Sequence, residues 1–234
     1  MKSDSITSDR FTHALLERAS YFNVQLDATA SIRLREYYEL VLVWNGRLHL
    51  VAPCSPEEFA TRHVLESLLA LQYMNAGAHV IDVGSGAGLP VIPCLIAQPD
   101  LSATLIESAK KKTVFLREAL RQAGASERAK VIGERFEKVD APFANYVTCR
   151  ALELFTEQFQ TLVEWSPKQS ILLFFGGENL RVEIEKNLLS YKAIPIPGSE
   201  RRFLFVVKHG PAPQKSKDEG GRMKDERKAQ SERD

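Results

Sequence analysis

The spacing of apolar residues changes character once along the chain, shortly before His79. Ahead of that point apolar positions recur at three- and four-residue intervals, the period of helices with one buried face. Phe11, Leu15, Ala19 and Phe22 line up in a helix predicted from about Ser8 to Asn23, and a second helix is predicted from about Thr29 to Trp44. Ser55, Pro56 and Glu58 form an S-x-x-E start signal with proline at the first helical position, so a third helix is predicted from Pro56 to Met74. From His79 onward short apolar runs alternate with helical stretches, the pattern of βα units that feed a mainly parallel sheet. Strands are predicted at His79 to Val83, Ala103 to Ile106, Lys130 to Ile132, Asn145 to Cys149 and Ser170 to Phe175. Helices between them would cover Leu89 to Ala97, Ala109 to Ala123, Glu153 to Trp165 and Glu178 to Ser190. A last pair, Tyr191 to Ile196 and Arg202 to Lys208, brings the sheet to seven strands. The chain thus reads as α/β, with residues 1–76 a helical cap on the body, 77–210 the α/β body and 211–234 a charged tail that would be disordered.

Composition narrows the choices without deciding among them. The 234 residues are 44% hydrophobic and 26% charged, ordinary values for a soluble globular protein. No apolar run approaches the ~18 residues that a membrane helix requires, and Met1 to Arg10 lacks a signal-peptide apolar stretch, so a cytoplasmic protein without membrane contact is expected. The three cysteines, Cys54, Cys94 and Cys149, have neither disulfide-framework nor zinc-site spacing, and no metal is expected. Of 31 Lys/Arg and 30 Asp/Glu, the tail holds seven and six, leaving 24 of each sign in the rest. Overall charge therefore does not by itself indicate a nucleic-acid partner; any such case rests on local clusters.

The chemistry-bearing stretch is Asp82-Val83-Gly84-Ser85-Gly86-Ala87-Gly88, between a predicted buried strand and a helix opened by Leu89-Pro90. Glycines there let the backbone approach a ligand that a Cβ would push away. A nicotinamide nucleotide loop reads G-x-G-x-x-G, but here the third glycine comes one position early and Leu89 stands in its place. The G-x-G-x-G spacing instead resembles the first motif of S-adenosylmethionine-dependent methyltransferases. Glu107 ends the next predicted strand, 23 residues beyond Gly84, where a carboxylate accepts hydrogen bonds from ribose hydroxyls. Asp82 suits a ligand that carries a sulfonium and an ammonium group. The plain alternative is a tight turn followed by a surface glutamate.

From Tyr37 to Lys208 the chain resembles the RsmG family, also called GidB, of bacterial small-subunit ribosomal RNA guanine-N7 methyltransferases. The resemblance is carried by Trp44-Asn45, Pro56-Glu57-Glu58, Arg62-His63, Ser67-Leu68, Asp82 to Pro90, Glu107-Ser108, Lys111 and Phe115-Leu116. It continues through Arg135, Glu137, Arg150-Ala151, Arg202 and Val206-Val207-Lys208. It implies a Rossmann-like methyltransferase fold, S-adenosylmethionine as cofactor, and 16S ribosomal RNA or the small ribosomal subunit as partner; a monomer is expected. It assigns Gly84, Leu89, Phe136, Glu137 and Arg150 to the cofactor, beside Asp82, Gly86, Gly88 and Glu107 from the loop reading, and it implies that Arg135, Arg150 and Arg202 converge at the catalytic face. The chain departs from the family at Arg47 to Val51, which includes His49, at Glu66 and Asn145 where aspartate is usual, and at Phe175 where lysine is usual.

Guanine N7 carries an exposed lone pair and needs no deprotonation, so alignment alone can carry the reaction. That agrees with a sequence offering no convincing nucleophile. Cytosine-C5 chemistry would need a cysteine, but Cys54 and Cys94 read as packing residues, and Cys149 is only somewhat better placed at a strand end. Lys110, Lys111, Lys112, Arg117 and Arg121, with Arg62, are candidate contacts to RNA phosphate that would form one positive face around the cofactor mouth, although a lysine run also reads as a solvated helix start. His63 reads equally as a bridge between cap and body or as a partner for buried backbone. Trp44 reads as core. Two other functions fit the fold: methylation of a small molecule or protein, and a catalytically silent RNA-binding assembly protein disabled at Phe175 and Asn145.

Overall fold

The computed structural model describes residues 2–150, 155–187 and 189–211. The predicted tail from residue 212 onward, the predicted helix start at Glu153 and Ala151 lie outside the described residues.

The cap begins with α1 (Lys2–Arg18), which tightens into a 3-10 turn at Ala19–Phe22. α2 (Ala28–Leu48) starts where the Asp27 carboxylate accepts the Ala30 N–H at 2.6 Å. It runs a turn beyond the predicted end at Trp44, although Asn45-Gly46 has the composition of a turn. The chain leaves the helix only at His49, which is left-handed with φ 47°. The Asn45 amide then brackets Val51, donating to its carbonyl at 3.1 Å and accepting its N–H at 3.0 Å.

The predicted capping box is present at α3 (Pro56–Glu58), with Ser55 Oγ and the Glu58 carboxylate each accepting the other's N–H. A single α-helix to Met74 does not follow. The chain widens into a π-helical segment, Phe59–Leu65, returns to α geometry in α4 (Glu66–Leu68) and closes with a 3-10 turn, Leu69–Tyr73. Such π insertions change which side chains point inward over one turn and recur at functional sites.

The body alternates β1 (His79–Val83), α5 (Val91–Ala97), β2 (Ser102–Ile106), α6 (Lys110–Gln122), β3 (Ala129–Ile132) and β4 (Tyr146–Arg150). α7 (Phe155–Trp165), β5 (Ile171–Gly176), α8 (Glu178–Lys186), β6 (Leu189–Pro195) and β7 (Phe203–Pro211) complete it. The seven strands take the order β3-β2-β1-β4-β5-β7-β6, and only β7 runs antiparallel to its neighbours. The mainly parallel sheet read from the sequence is thus observed, with the first strand at its predicted bounds and no strand end shifted by more than three residues.

Both faces of the sheet are covered, which is why β1 and β4 are buried on consecutive residues rather than alternating. On one face Phe11, Tyr38 and Phe59 stack within the cap and share a core with Ile92 and Phe115 of the body. On the other, Phe159 and Ile184 from α7 and α8 pack on Val147, Phe174 and Phe205.

Candidate active site

β1 pairs with β2 on one side and β4 on the other, so the connections leave β1 in opposite directions and open a crevice at the carboxyl ends of these strands. A cleft of about 690 Å³ lies there. Gly84, Ser85, Gly86 and Leu89 form one wall, Glu107 and Lys112 the next, Arg135, Phe136 and Glu137 a third; Arg150, His63 and the stretch His49 to Ala52 close it.

The glycine loop is held by backbone. Gly84 N–H donates to Ile106 O at 2.9 Å, and Tyr37, from the cap, donates its hydroxyl to Ala87 O at 2.6 Å. Gly86 is left-handed (φ 53°), and a Cβ built on it would meet only Gly84 O, at 3.8 Å; the space beside it is open. Its N–H donates to Glu107 Oε2 at 2.9 Å, while Glu107 Oε1 accepts the Ala109 N–H at 2.8 Å. Each carboxylate oxygen has two acceptor sites, so both retain one for a ligand hydroxyl.

Two loop residues grouped with the cofactor do not line the cleft. Gly88 (φ 82°) faces α5 and α6: a Cβ there would collide with Ile92, at 2.7 Å from its Cγ1, and crowd Leu116 at 3.3 Å. Its glycine is required by packing. Asp82 is buried beneath the loop, accepting the Thr148 hydroxyl at 2.7 Å on Oδ1 and leaving Oδ2 without a partner. Burial pushes its carboxyl up to about 7, against the pull of the Thr148 and Ser85 hydroxyls.

Opposite the loop, Arg150 ends β4 and lies along the cap. Its guanidinium donates to Glu66 Oε2 at 3.2 Å, to the Arg62 carbonyl and, at 3.4 Å, to Ser67 Oγ. Arg202, just before β7, pairs with the other Glu66 oxygen and donates to Ser199 Oγ at 3.2 Å. Glu66 is 2% exposed, and burial pushes its carboxyl up while the two guanidiniums pull it back down. The π-helical segment sets this up, since it brings the Arg62 carbonyl and the Glu66 side chain to one place. Arg135 does not join the cluster. It sits exposed on the cleft rim and pairs with Glu137 at 2.8 Å, so two of the three predicted arginines share Glu66, and of those two Arg150 lines the cleft while Arg202 does not.

His63 lines the cleft with its ring edge-on to Phe59 at 5.0 Å, and its Nδ1 is closed off without a partner. Burial first, then Arg150, Arg62 and Arg202, pushes the imidazole down to about 3, so it is neutral across the physiological range. Of the two readings from the sequence, no hydrogen bond to a buried backbone group is seen, while His63, on the cap, lines the cleft beside Arg150 of the body.

The departures from the family take on definite roles. Phe175 is buried, and the Arg150 guanidinium lies 5.6 Å from its ring centroid; a lysine in that place would set another cation beside Arg150 and Arg202. Asn145 lies ahead of β4, at the opposite end of the parallel strands from the cleft, where its Oδ1 accepts the His79 N–H at 2.8 Å. It is remote from the cleft. Cys94 and Cys149 are buried in the two cores, Cys94 donating to Ser67 O at 3.4 Å, and no cysteine lines the cleft.

The basic residues do not make one face. Lys112 lines the cleft, Lys110 and Lys111 are exposed at the start of α6, and Arg62 is exposed on the cap. Arg117 and Arg121 border a separate groove, and Arg121 is bound to Glu118 at 2.6 Å. Among the described residues no group of three His, Cys, Asp or Glu could hold a metal, and no helix is long and apolar enough to cross a membrane.

Sequence reasoning missed Tyr37 and the bridging role of Glu66. The signal for Glu66 was there: a single charge inside the apolar run Val64 to Ala70.

The fold is that of S-adenosylmethionine-dependent methyltransferases. An RNA methyltransferase from Salinibacter ruber, solved in complex with S-adenosyl-L-homocysteine, superimposes with a TM-score of 0.52 at 16% identity, over 70% of this chain and 98% of that one. Residues 31–196 match the family described as rRNA small subunit methyltransferase G (GidB), and the chain belongs to that family. Proteins called ribosomal RNA small subunit methyltransferase G are similar in sequence: 43% identical over 129 residues in Xanthomonas campestris pv. campestris and 37% over 126 in Neisseria gonorrhoeae. These matches cover 55% and 54% of this chain, and the chain spans about 60% of the length of each relative.

Proposed function

We propose that this protein binds S-adenosylmethionine in the cleft and transfers its methyl group to N7 of a guanine in 16S ribosomal RNA. The observation that carries the reading is the pairing, across one cleft, of an open glycine backbone and a buried ribose-type acceptor, Glu107, with a guanidinium anchored through Glu66. The cofactor fits: the space beside Gly86 is clear, and Glu107 keeps acceptor sites for hydroxyls. Leu89, Phe136 and Glu137 line the same space and would hold the remainder of it. Bound there, S-adenosylmethionine supplies a methyl group on an electrophilic sulfonium.

The chain's own residues have little bond-making to do. No lining residue is a poised nucleophile or base: the cysteines lie elsewhere, and His63 is held neutral far below its ordinary titration range. This suits an acceptor that brings its own lone pair, as guanine N7 does. Arg150 and Arg202 then orient the acceptor, and alignment alone contributes roughly 7 to 11 kcal/mol of barrier reduction. Arg62, Lys112 and Arg135 stand at the rim with charge for RNA phosphate. Against the silent-protein reading stand the remoteness of Asn145 from the cleft and the ring of Phe175 beside the Arg150 guanidinium.

Nucleoside mass spectrometry of 16S ribosomal RNA from cells with and without the protein tests the proposal. A 7-methylguanosine present only with the protein is expected; identical nucleoside profiles overturn it.

A further inference from the structure

Outside the cleft, α2 and α6 leave an apolar strip edged with uncompensated positive charge. The two helices run antiparallel: Gln122 donates to Glu36 O at 3.2 Å, and nearer the cleft Trp44 meets Phe115 edge-on at 6.0 Å. Along their seam lies a groove of about 480 Å³, lined by Leu40, Trp44, Val114, Arg117, Glu118 and Arg121. Trp44 is only half-buried, and Val114 and Val43 are 53% and 74% exposed.

Helical spacing continues the pattern beyond the groove itself. Lys110, Val114, Arg117 and Arg121 fall at i, i+4, i+7 and i+11 on one stripe of α6, while Leu40, Trp44 and Arg47 fall at i, i+4 and i+7 on α2. Arg121 is neutralised by Glu118, but among the described residues Arg47, Lys110 and Arg117 have no carboxylate partner. Both helices end at the cleft, since His49 directly follows α2 and Ala109 directly precedes α6, and both residues line it. The strip therefore leads away from the place where the acceptor base must sit.

We propose that the α2/α6 seam is a track for single-stranded RNA flanking the methyl-accepting nucleotide, with a base stacked on the exposed part of Trp44 and phosphates on Arg117, Lys110 and Arg47. The proposal rests on the ribosomal RNA reading above. An apolar protein partner would cover the strip but bury three unpaired cations. Single-stranded RNA matches both features, because its bases present π faces and its phosphates meet the charges without any base-specific contact.

The test is binding of 16S ribosomal RNA, prepared from cells lacking the protein, to the wild-type chain and to Trp44→Leu and Arg117→Ala over a series of salt concentrations. Calorimetric affinity for S-adenosylmethionine serves as the control for folding. Trp44→Leu is expected to weaken RNA binding roughly 5- to 150-fold, the range for one lost base–aromatic stack. Arg117→Ala, an exposed change that leaves the core alone, is expected to flatten the dependence of log affinity on log salt by about 0.7, one single-strand phosphate contact. Wild-type affinity and salt slope in both variants, with the wild-type chain binding and methylating the RNA, overturn the seam alone. No binding by the wild-type chain overturns the ribosomal RNA reading and the seam with it. A self-associated wild-type chain that Trp44→Leu disperses, with RNA affinity unchanged, assigns the strip to a second copy and overturns the proposal.

Discussion

The two walls of the cleft are built by opposite means. The glycine loop is one contiguous stretch, Asp82 to Gly88, that offers empty space beside its backbone and is completed by a carboxylate at the end of the neighbouring strand. The arginine wall presents Arg150 to the cleft and backs it with Glu66 from the cap and Arg202 from beside the antiparallel strand β7, a cluster held by charge. The first wall depends on local conformation, so its failures should be local. The second is a buried ion cluster, in which removing one member leaves the others uncompensated and is felt through the whole fold.

The largest expected effect is at Glu66. Glu66→Leu strands two guanidiniums and should lower unfolding free energy by about 3 to 5 kcal/mol, read by urea denaturation. Glu66→Gln keeps the shape and much of the hydrogen bonding, so it should stay folded and bind S-adenosylmethionine while methyl transfer falls at least about tenfold through lost alignment. A Glu66→Leu variant as stable as wild type would remove the distinction between the walls.

Within the loop, Gly86 and Gly88 should part company. Both adopt positive φ, so alanine strains each by about 1 to 2 kcal/mol, but only Gly88 also meets Ile92 and Leu116. Gly88→Ala should therefore lose more stability, by a further ~1 to 3 kcal/mol of overpacking. Gly86 lines the cleft, so a bulky residue there, Gly86→Val, should abolish calorimetric cofactor binding in a chain that still folds. Equal melting of the two alanine variants, with unaltered affinity in Gly86→Val, would show the loop to be a plain turn.

A smaller effect is expected at Asp82, one of three buried carboxylates among the described residues. Asp82 rises from 3.8 to about 7 on burial, so between these values the native chain binds more protons than the unfolded one. Its contribution therefore makes stability fall as pH climbs through that window. Asp82→Asn should remove that component, so the stability difference between variant and wild type should grow in the variant's favour from pH 4 to pH 7. A constant difference would contradict the burial argument. The smallest change is expected at Arg135→Ala: its guanidinium is exposed, so denaturation should not shift, whereas RNA affinity should drop and depend less on salt.

What the sequence revealed follows the same division. The βα alternation, the glycine loop and Glu107 are written in neighbouring residues, and the structure bears out the sheet and the strand ends they require. It did not show that Gly88 serves packing or that Asp82 lies under the loop, because a glycine or carboxylate reads alike whether a ligand or another helix is beside it. The Glu66 bridge spans 84 and 136 positions to its partners, a distance at which no local pattern speaks. The π-helical segment that enables it looks in sequence like any apolar helix. Likewise Trp44 falls on the apolar face of α2 and reads as core, yet only the placement of α6 determines how much of its ring stays open.

The most direct test of the account is transfer of radiolabelled methyl from S-adenosylmethionine to 16S ribosomal RNA by the purified chain, with Arg150→Ala alongside. Label recovered as 7-methylguanosine is expected with the wild-type chain, and at least about a hundredfold less with the variant, assayed at a temperature where the variant, destabilised by loss of one member of the cluster, is still folded by circular dichroism. Ribosomal RNA left unlabelled while a small metabolite or a protein is methylated, or full activity in Arg150→Ala, would contradict it.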